Sequence, residues 1–506
     1  MQENNRQNNG SDNNQGYPVI ERTPKLRNYI SYGVGDFLGG GSFILIGVLF
    51  LNFMTQVVGM NPFYAGLLIL IGKLWDGISD PMMGYITDRT RSRFGRRRVF
   101  FLIGMLPVFL TFSSLWIPVN IESQFALFMW YLVLFLLFST AYTVTVVPYV
   151  ALITDISLDY KIRSKFSGFK QFSSGFAGAL CVVASQPIVS LFPPEEVHIG
   201  YMVMGIIYAL FFSLPWIAVF FGTWELPRQL EEVKRQTPKE ILRNFYSVFR
   251  NKSFRLHVGM FAFSFAGMDF VMALFLYFLE FYLEQPGLFP ILMACFAGSQ
   301  AISIGIYIKI ANTYGKSKAY LVGTVMWMAG LTIMLTVPQE SYSLAVLIIS
   351  TMFLGSGICG ATTMPWVMLP SVADVDEMIT TEKRSGIYAG MMTLIRKIVS
   401  GVTIFLVGVS LNFIGFDQEA AAQSVETQSY LRLLFIFGPF LVVFCGMLFS
   451  FKFKITPYTH RTLRNEIERL ENGGSKDDCD KETRDVCQLL SGQEYETLYK
   501  NSDKGS

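Results

Sequence analysis

The feature that most constrains this chain is the stretch Lys73-Leu-Trp-Asp-Gly-Ile-Ser-Asp-Pro-Met-Met-Gly84, with the basic run that follows it. Two carboxylates, Asp76 and Asp80, lie four apart inside an apolar segment long enough to cross a bilayer, and Lys73 precedes the first by three. Residues three and four apart share a helix face, so the three charges form one stripe. A charge at membrane depth costs roughly 2.5–3.5 kcal/mol on insertion scales, so such groups face a partner or a wet cavity rather than lipid. Six arginines stand within Arg89–Arg98, which anchors that end of the helix on the cytoplasmic side.

Of the 506 residues 52% are hydrophobic and only 16% charged, which excludes an ordinary soluble domain. With about 20 apolar residues as the unit of a span, twelve helices are predicted at 28–53, 62–88, 98–118, 124–150, 165–192, 200–224, 256–283, 287–312, 317–338, 342–370, 385–413 and 429–453. The even-numbered connections hold Arg89–Arg98, Lys161, Arg163 and Lys165, the run from Arg228 to Arg255, Lys316 and Lys318, and Lys383 and Arg384. The odd-numbered connections hold Glu122, Glu195, Glu196, Glu284, Glu340, Asp417, Glu419 and Glu426, without Lys or Arg. That alternation places both termini in the cytoplasm. Basic residues confined to short loops exclude a nucleic-acid interface.

The connection 225–255 divides the chain into an N-terminal bundle (28–224) and a C-terminal bundle (256–453). The loop Phe94-Gly-Arg-Arg-Arg98 after helix 2 is echoed by Tyr314-Gly-Lys-Ser-Lys318 after helix 8, the mark of a chain built from two repeats. Residues 1–27 are Asn- and Gln-rich, without a cleavable signal, and are expected to be disordered. The cytoplasmic tail 454–506 is expected to carry short helices, one over 460–470 broken by Gly473-Gly474 and one starting near Asp480. Six cysteines and three histidines show no metal-ligand spacing, and no nucleophile–base pair is visible, so neither a cofactor nor an enzyme is indicated.

Other polar residues fall inside the spans: Asp36, Lys170, Asp269, Glu280, Lys309, Asp374, Arg396 and Lys397. Glu280 and Lys309 lie near helix ends and read as groups that reach to water. Asp76 and Asp80 offer charge and oxygen ligands together for a cation of Na⁺ type; alternatively they carry protons, or Lys73 and Asp76 form a plain salt bridge. Lys170 and Lys397 suit hydrogen bonds to hydroxyls, a phosphate or a carboxylate, and Trp366 suits stacking on an apolar sugar face or simple core packing. Asp374, Asp376 and Glu377 end helix 10. With Asp88, Arg89, Arg93, Arg96 and Arg97 they make the candidate cytoplasmic gate.

Several motifs resemble a known family. Tyr32-Gly-Val-Gly-Asp36, Trp75-Asp-Gly-Ile-Ser-Asp-Pro81, Asp88 through Arg97, Pro148-Tyr-Val-Ala-Leu152, Leu369 through Glu377 and Gly386 through Lys397 resemble the glycoside–pentoside–hexuronide:cation symporters. This is the melibiose permease group of the major facilitator superfamily, and its branch includes animal sodium-dependent lysophosphatidylcholine symporters. The resemblance implies an all-α membrane protein of twelve helices in two pseudosymmetric bundles, working by alternating access. It also implies Asp76 and Asp80 as cation ligands, Lys397 beside them, and Lys170 where most members carry a sugar-binding Arg. Val146, Gly40 and Val150 depart from the permease pattern at a helix-4 Asp, a helix-1 Asp and a helix-4 Trp, and leave Thr143 as the nearby helix-4 oxygen donor.

Together these readings predict a monomeric inner-membrane symporter of bacterial type, coupled to Na⁺ or H⁺. A sugar, glycoside or sugar acid is the expected substrate, with Asp36, Lys170, Trp366 and Lys397 as substrate contacts and Asp76, Asp80 and Thr143 as cation contacts. A lysophospholipid or other amphiphile is the alternative substrate, and a transport-dead sensor signalling through the tail is the rival class.

Overall fold

A computed structural model describes residues 23–499 apart from 158, 227–242, 244–245, 340–341, 419 and 421. Arg228, Glu340, Glu419 and most of the expected disordered N-terminus lie outside the described residues. Among the described residues the chain is helical throughout, with twelve long helices and two in the tail. They are α1 (26–57), α2 (Pro62–Arg89), α3 (Val99–Leu115), α4 (Gln124–Ile156), α5 (Tyr160–Val189) and α6 (Pro194–Gly222) in the first half. The second half holds α7 (Lys252–Tyr282), α8 (Phe289–Tyr314), α9 (Lys316–Leu335), α10 (Leu344–Thr380), α11 (Ser385–Phe413) and α12 (Val425–Lys452). The tail forms α13 (Pro457–Glu471) and α14 (Lys481–Ser491).

Ten of the twelve are long and apolar enough to cross a membrane by composition alone. The others are α3, which is 17 residues long, and α2, whose embedded Lys73, Asp76 and Asp80 lower its apolarity. The expected boundaries hold to within about six residues, apart from the cytoplasmic end of α10. α4 and α10 run further toward the cytoplasm, to Ile156 and Thr380, with Pro148, Pro365 and Pro370 inside continuous helix. In a packed membrane bundle, neighbouring helices and local backbone adjustment tolerate such prolines, which would stop a soluble helix. The ten extra residues of α10 carry Asp374, Asp376 and Glu377 as its last turns.

α1 is assembled from 3-10, α and π segments, with π turns at Leu38–Ser42, Ile46–Phe50 and Phe53–Val57. Gly40 explains one irregularity: a Cβ there would lie 2.3 Å from the Ser174 carbonyl oxygen of α5, so α1 and α5 touch backbone to backbone. The halves meet along α2–α11, α1–α7 and α5–α8. At the α2–α11 seam, a Cβ on Gly408 would sit 2.3 Å from the Pro62 carbonyl oxygen. Gly408→Val is therefore expected to force the seam apart at a cost of about 2 kcal/mol, read as a lower melting temperature of the purified protein.

Polar contacts close the extracellular ends. Asn61 Nδ2 donates to Asn412 Oδ1 at 3.1 Å, Asn52 Nδ2 donates to Glu280 Oε2 at 3.2 Å, and the Thr55 and Tyr277 hydroxyls lie 2.5 Å apart. Glu280 is thus a partner in the inter-half seam, not a group reaching to water. On the cytoplasmic side, no ion pair joins the halves among the described residues.

The tail packs on the cytoplasmic end of the second half. Leu463, Ile467, Leu490 and Leu498 are buried, the Ser253 hydroxyl donates to the Leu490 carbonyl at 2.6 Å, and the Tyr499 amide donates to the Met378 carbonyl at 2.8 Å. Asp480 caps α14 as expected, accepting from the Thr483 amide at 2.7 Å. Inside the tail, Arg469 forks onto Glu466 at 2.8 and 2.9 Å, and the Tyr495 hydroxyl donates to the same carboxylate. Burial raises the Glu466 carboxyl, but these bonds lower it by more, so it ends below its ordinary 4.5. A carboxylate lowered on folding contributes stability above its unfolded pKa and loses it as pH falls through the folded value. Hydrogen exchange, corrected for intrinsic rates, is expected to show α13–α14 losing protection in that acid range, a step that Glu466→Gln removes.

Candidate functional site

The charged stripe of α2 faces inward against α4 and α11. Asp76 is 4% exposed and accepts a hydrogen bond from the Ser139 hydroxyl of α4. Asp80, one turn on, accepts from the Thr143 hydroxyl at 2.8 Å. The Lys397 ammonium of α11 bonds Asp80 and lies 3.8 Å from Asp76, crossing from one half to the other. Lys73 lies 3.9 Å from Asp76 with its ammonium 4.6 Å from the centre of the Phe43 ring. A further helix hydroxyl, Ser79, lies 3.2 Å from Thr143. Pro81 has no N–H, so the Gly77 carbonyl four residues back lacks its helix donor beside the two carboxylates.

A small cavity of about 30 Å³ adjoins Asp76, lined by Ser42, Phe43, Lys73, Ser139, Tyr142 and Lys397 among others. The donors around it are carboxylate and hydroxyl oxygens, the set a hard monovalent or divalent cation takes. Among the described residues no group of three or more His, Cys, Asp or Glu is placed to hold a metal, so a cation here draws on hydroxyls and carbonyls as well as the two carboxylates.

On the other side of Phe43 lies a cavity of about 770 Å³ between α1, α5, α7, α8 and α10. Its walls are mainly apolar, with Phe172, Phe176, Met272 and Ile304, and its polar groups are Gln171, Asp269, Gln300, Thr362 and Thr363. Asp269 is held by both arms of Arg396, at 2.7 and 2.8 Å. Arg396 also stacks on Phe43 and Phe265, its central carbon 5.0 and 4.6 Å from their ring centres.

The residues expected to contact substrate are scattered. Asp36 and Lys170 face each other at 3.8 Å, and neither they nor Trp366 are among the wall residues of this cavity. Trp366 is 39% exposed and packs edge-on to Phe261, with ring centres 5.4 Å apart. Lys397 lies with the carboxylate pair. Helical phase is the reason: Arg396 and Lys397 are about 100° apart on α11, so one faces Asp269 and the other faces α2.

Among the described residues the expected gate pairing between the basic loop and α10 is not made, and each group meets partners within its own half. Arg96 and Arg97 hold Asp155 at 2.7 and 3.0 Å and lie 3.9 and 3.4 Å from Asp88. Glu225 accepts from the amides of Arg96, Arg97 and Arg98 at 2.8–2.9 Å. Arg89 stacks on Tyr85 and Arg93 on Phe94. Asp376 is forked by Arg384 at 2.7 and 2.8 Å, while tail residues take the rest: His460 lies 2.7 Å from Asp374 and Arg464 3.0 Å from Glu377.

Ser139 escaped the sequence reading. The signal was present, since Ser139 and Thr143 stand four apart on α4 just as Asp76 and Asp80 do on α2.

Comparisons with known proteins agree with this architecture. Residues 31–457 match the family described as MFS/sugar transport protein. The chain belongs to that family and is a multi-pass membrane transport protein of the major facilitator fold. Relatives include a putative sulfoquinovose importer of Salmonella typhimurium, 25% identical over 89% of this chain and 94% of its own. Another is the sodium-dependent lysophosphatidylcholine symporter 1-A of Danio rerio, 24% identical over 87% of this chain and 88% of its own. Among solved structures, a bacterial homolog of the human lysosomal transporter Spinster, in an inward-facing and occupied conformation, superposes with a TM-score of 0.61 at 12% identity. That match covers 86% of this chain and 97% of the other.

Proposed function

We propose that this transporter is a symporter coupled to Na⁺ through Asp76 and Asp80, carrying a sugar-like substrate by alternating access. The observation that supports it most is the convergence of two carboxylates, Asp76 buried and Asp80 partly accessible, with two hydroxyls, from Ser139 and Thr143. A proton needs a single carboxylate; hydroxyls converging beside two of them suit a metal cation better. In the form described, the Lys397 ammonium occupies the carboxylate pair from the opposite half. Arriving Na⁺ competes with it, and releasing Lys397 loosens the α2–α11 tie between the halves, which links occupancy to conformation. Ser139→Ala is expected to raise the Na⁺ concentration for half-maximal uptake about tenfold, the worth of ~1.4 kcal/mol. Uptake into proteoliposomes under an imposed Na⁺ gradient tests this, and an unchanged Na⁺ dependence contradicts it.

One observation favours a second substrate reading. The walls of the 770 Å³ cavity are apolar enough to hold an acyl chain, as an amphiphile would need. Competition of uptake by lysophosphatidylcholine against a panel of sugars separates the two readings.

A further inference from the structure

One side chain belongs to both cavities. Among the described residues, Phe43 is the residue that walls the cavity of about 30 Å³ beside Asp76 and also the cavity of about 770 Å³. Two cations share its ring, the Lys73 ammonium at 4.6 Å and the Arg396 central carbon at 5.0 Å from its centre. Each of these cations is tied to a carboxylate of a different cavity. Lys73 lies 3.9 Å from Asp76, in the lining of the small one. Arg396 forks at 2.7 and 2.8 Å onto Asp269, in the wall of the large one.

An aromatic face attracts a cation within about 6 Å of its centre, and more strongly where water is excluded. The ring and the two carboxylates therefore hold together two like charges that repel each other. The backbone under the ring is irregular. Phe43–Leu45 is a three-residue α segment between π turns at Leu38–Ser42 and Ile46–Phe50, and turns of that kind collect at functional sites. Ser42 and Ile46 of these turns line the small cavity, while Gly47 and Val48 line the large one.

We propose that Phe43 is the positioning residue that couples the cation site to the large cavity, its ring shared between Lys73 on one side of the coupling and Arg396 on the other. A cation arriving at Asp76 competes with Lys73 for the carboxylate and leaves the Phe43 ring as the ammonium's remaining partner. The ring follows Lys73 and gives up Arg396, which keeps Asp269 and the Phe265 ring, 4.6 Å from its central carbon. The wall of the large cavity then withdraws at Phe43, so the cation makes room for substrate. The proposal rests on the reading of Asp76 and Asp80 as the Na⁺ site.

The test uses the full chain in nanodiscs, in NaCl and in choline chloride of equal ionic strength. Cys359 stands in the wall of the large cavity and is 7% exposed, so its alkylation by N-ethylmaleimide, followed on its own peptide by mass spectrometry, reports on that wall. In the wild type Na⁺ is expected to speed this alkylation at least about fivefold, the lower end of ordinary coupling between sites. Phe43→Leu stays apolar and leaves both ion pairs in place. It is expected to keep a saturable Na⁺-dependent rise in melting temperature and to lose the Na⁺ effect on Cys359. Phe43→Tyr keeps the ring and is expected to keep both responses. An effect on Cys359 that is missing from the wild type, kept in Phe43→Leu or lost in Phe43→Tyr overturns the proposal. So does a Phe43→Leu protein whose melting temperature no longer responds to Na⁺, because the ring then shapes the cation site itself. A wild type whose melting temperature ignores Na⁺ overturns the reading of Asp76 and Asp80 and the proposal with it, so the two failures are told apart.

Discussion

Lys397→Met is expected to destabilise the protein by about 3 kcal/mol and to abolish cation-driven uptake. The ammonium bridges Asp80 and Asp76, and removing one partner of a buried ion pair leaves the other charge uncompensated, a loss typically of 3–5 kcal/mol. The lower figure applies because Asp80 is partly accessible, its side chain 29% exposed. If the cost comes from stranded carboxylates rather than lost packing, Asp80→Asn added to Lys397→Met should recover most of the stability. It should recover none of the uptake, since the coupling site is then incomplete. Thermal or denaturant melts of the two variants check the first half, and proteoliposome uptake checks the second.

The double variant Asp76→Asn/Asp80→Asn is expected to lower Na⁺-gradient-driven uptake at least a hundredfold, to the level of empty liposomes. Asparagine keeps the size and hydrogen-bonding reach of each side chain, so Ser139 and Thr143 retain partners and the fold survives. What goes is the negative charge that holds the cation and the Lys397 ammonium. Exchange of substrate down its own gradient is expected to persist at a reduced rate, which distinguishes uncoupling from misfolding.

Much of this was legible in the residues because membrane insertion leaves few options. Apolar run length and the alternation of basic and acidic loops placed twelve helices, and α11 has the very bounds expected for it, Ser385–Phe413. Asp76 and Asp80 stood out because carboxylates at membrane depth are rare and costly. What sequence spacing does not carry is the rotation of one helix against another. Lys397 was expected both beside the carboxylate pair and against substrate; it is turned to α2 and that pair, while its neighbour Arg396 is turned to Asp269 beside the large cavity. Ser139 drew no notice in the sequence because only the facing of α4 against α2 brings it to Asp76. The gate residues carry the opposite charges that a pairing across the halves would need, but in this structure each meets a partner in its own half. Tail residues His460 and Arg464 take the place on α10 that charge complementarity alone would give to the basic loop.

The central claim is that Asp76 and Asp80 form the coupling cation's site. Titration of Na⁺ against the melting temperature of purified wild type and of Asp76→Asn/Asp80→Asn, with choline replacing Na⁺ at fixed ionic strength, tests it most directly. A ligand that binds only the folded state adds about 2.7 kcal/mol of stability at a hundred times its Kd. The expected result is a saturable Na⁺-dependent rise in the wild type that is absent from the double variant. An equal rise in both proteins, saturating at the same Na⁺ concentration, would contradict the account.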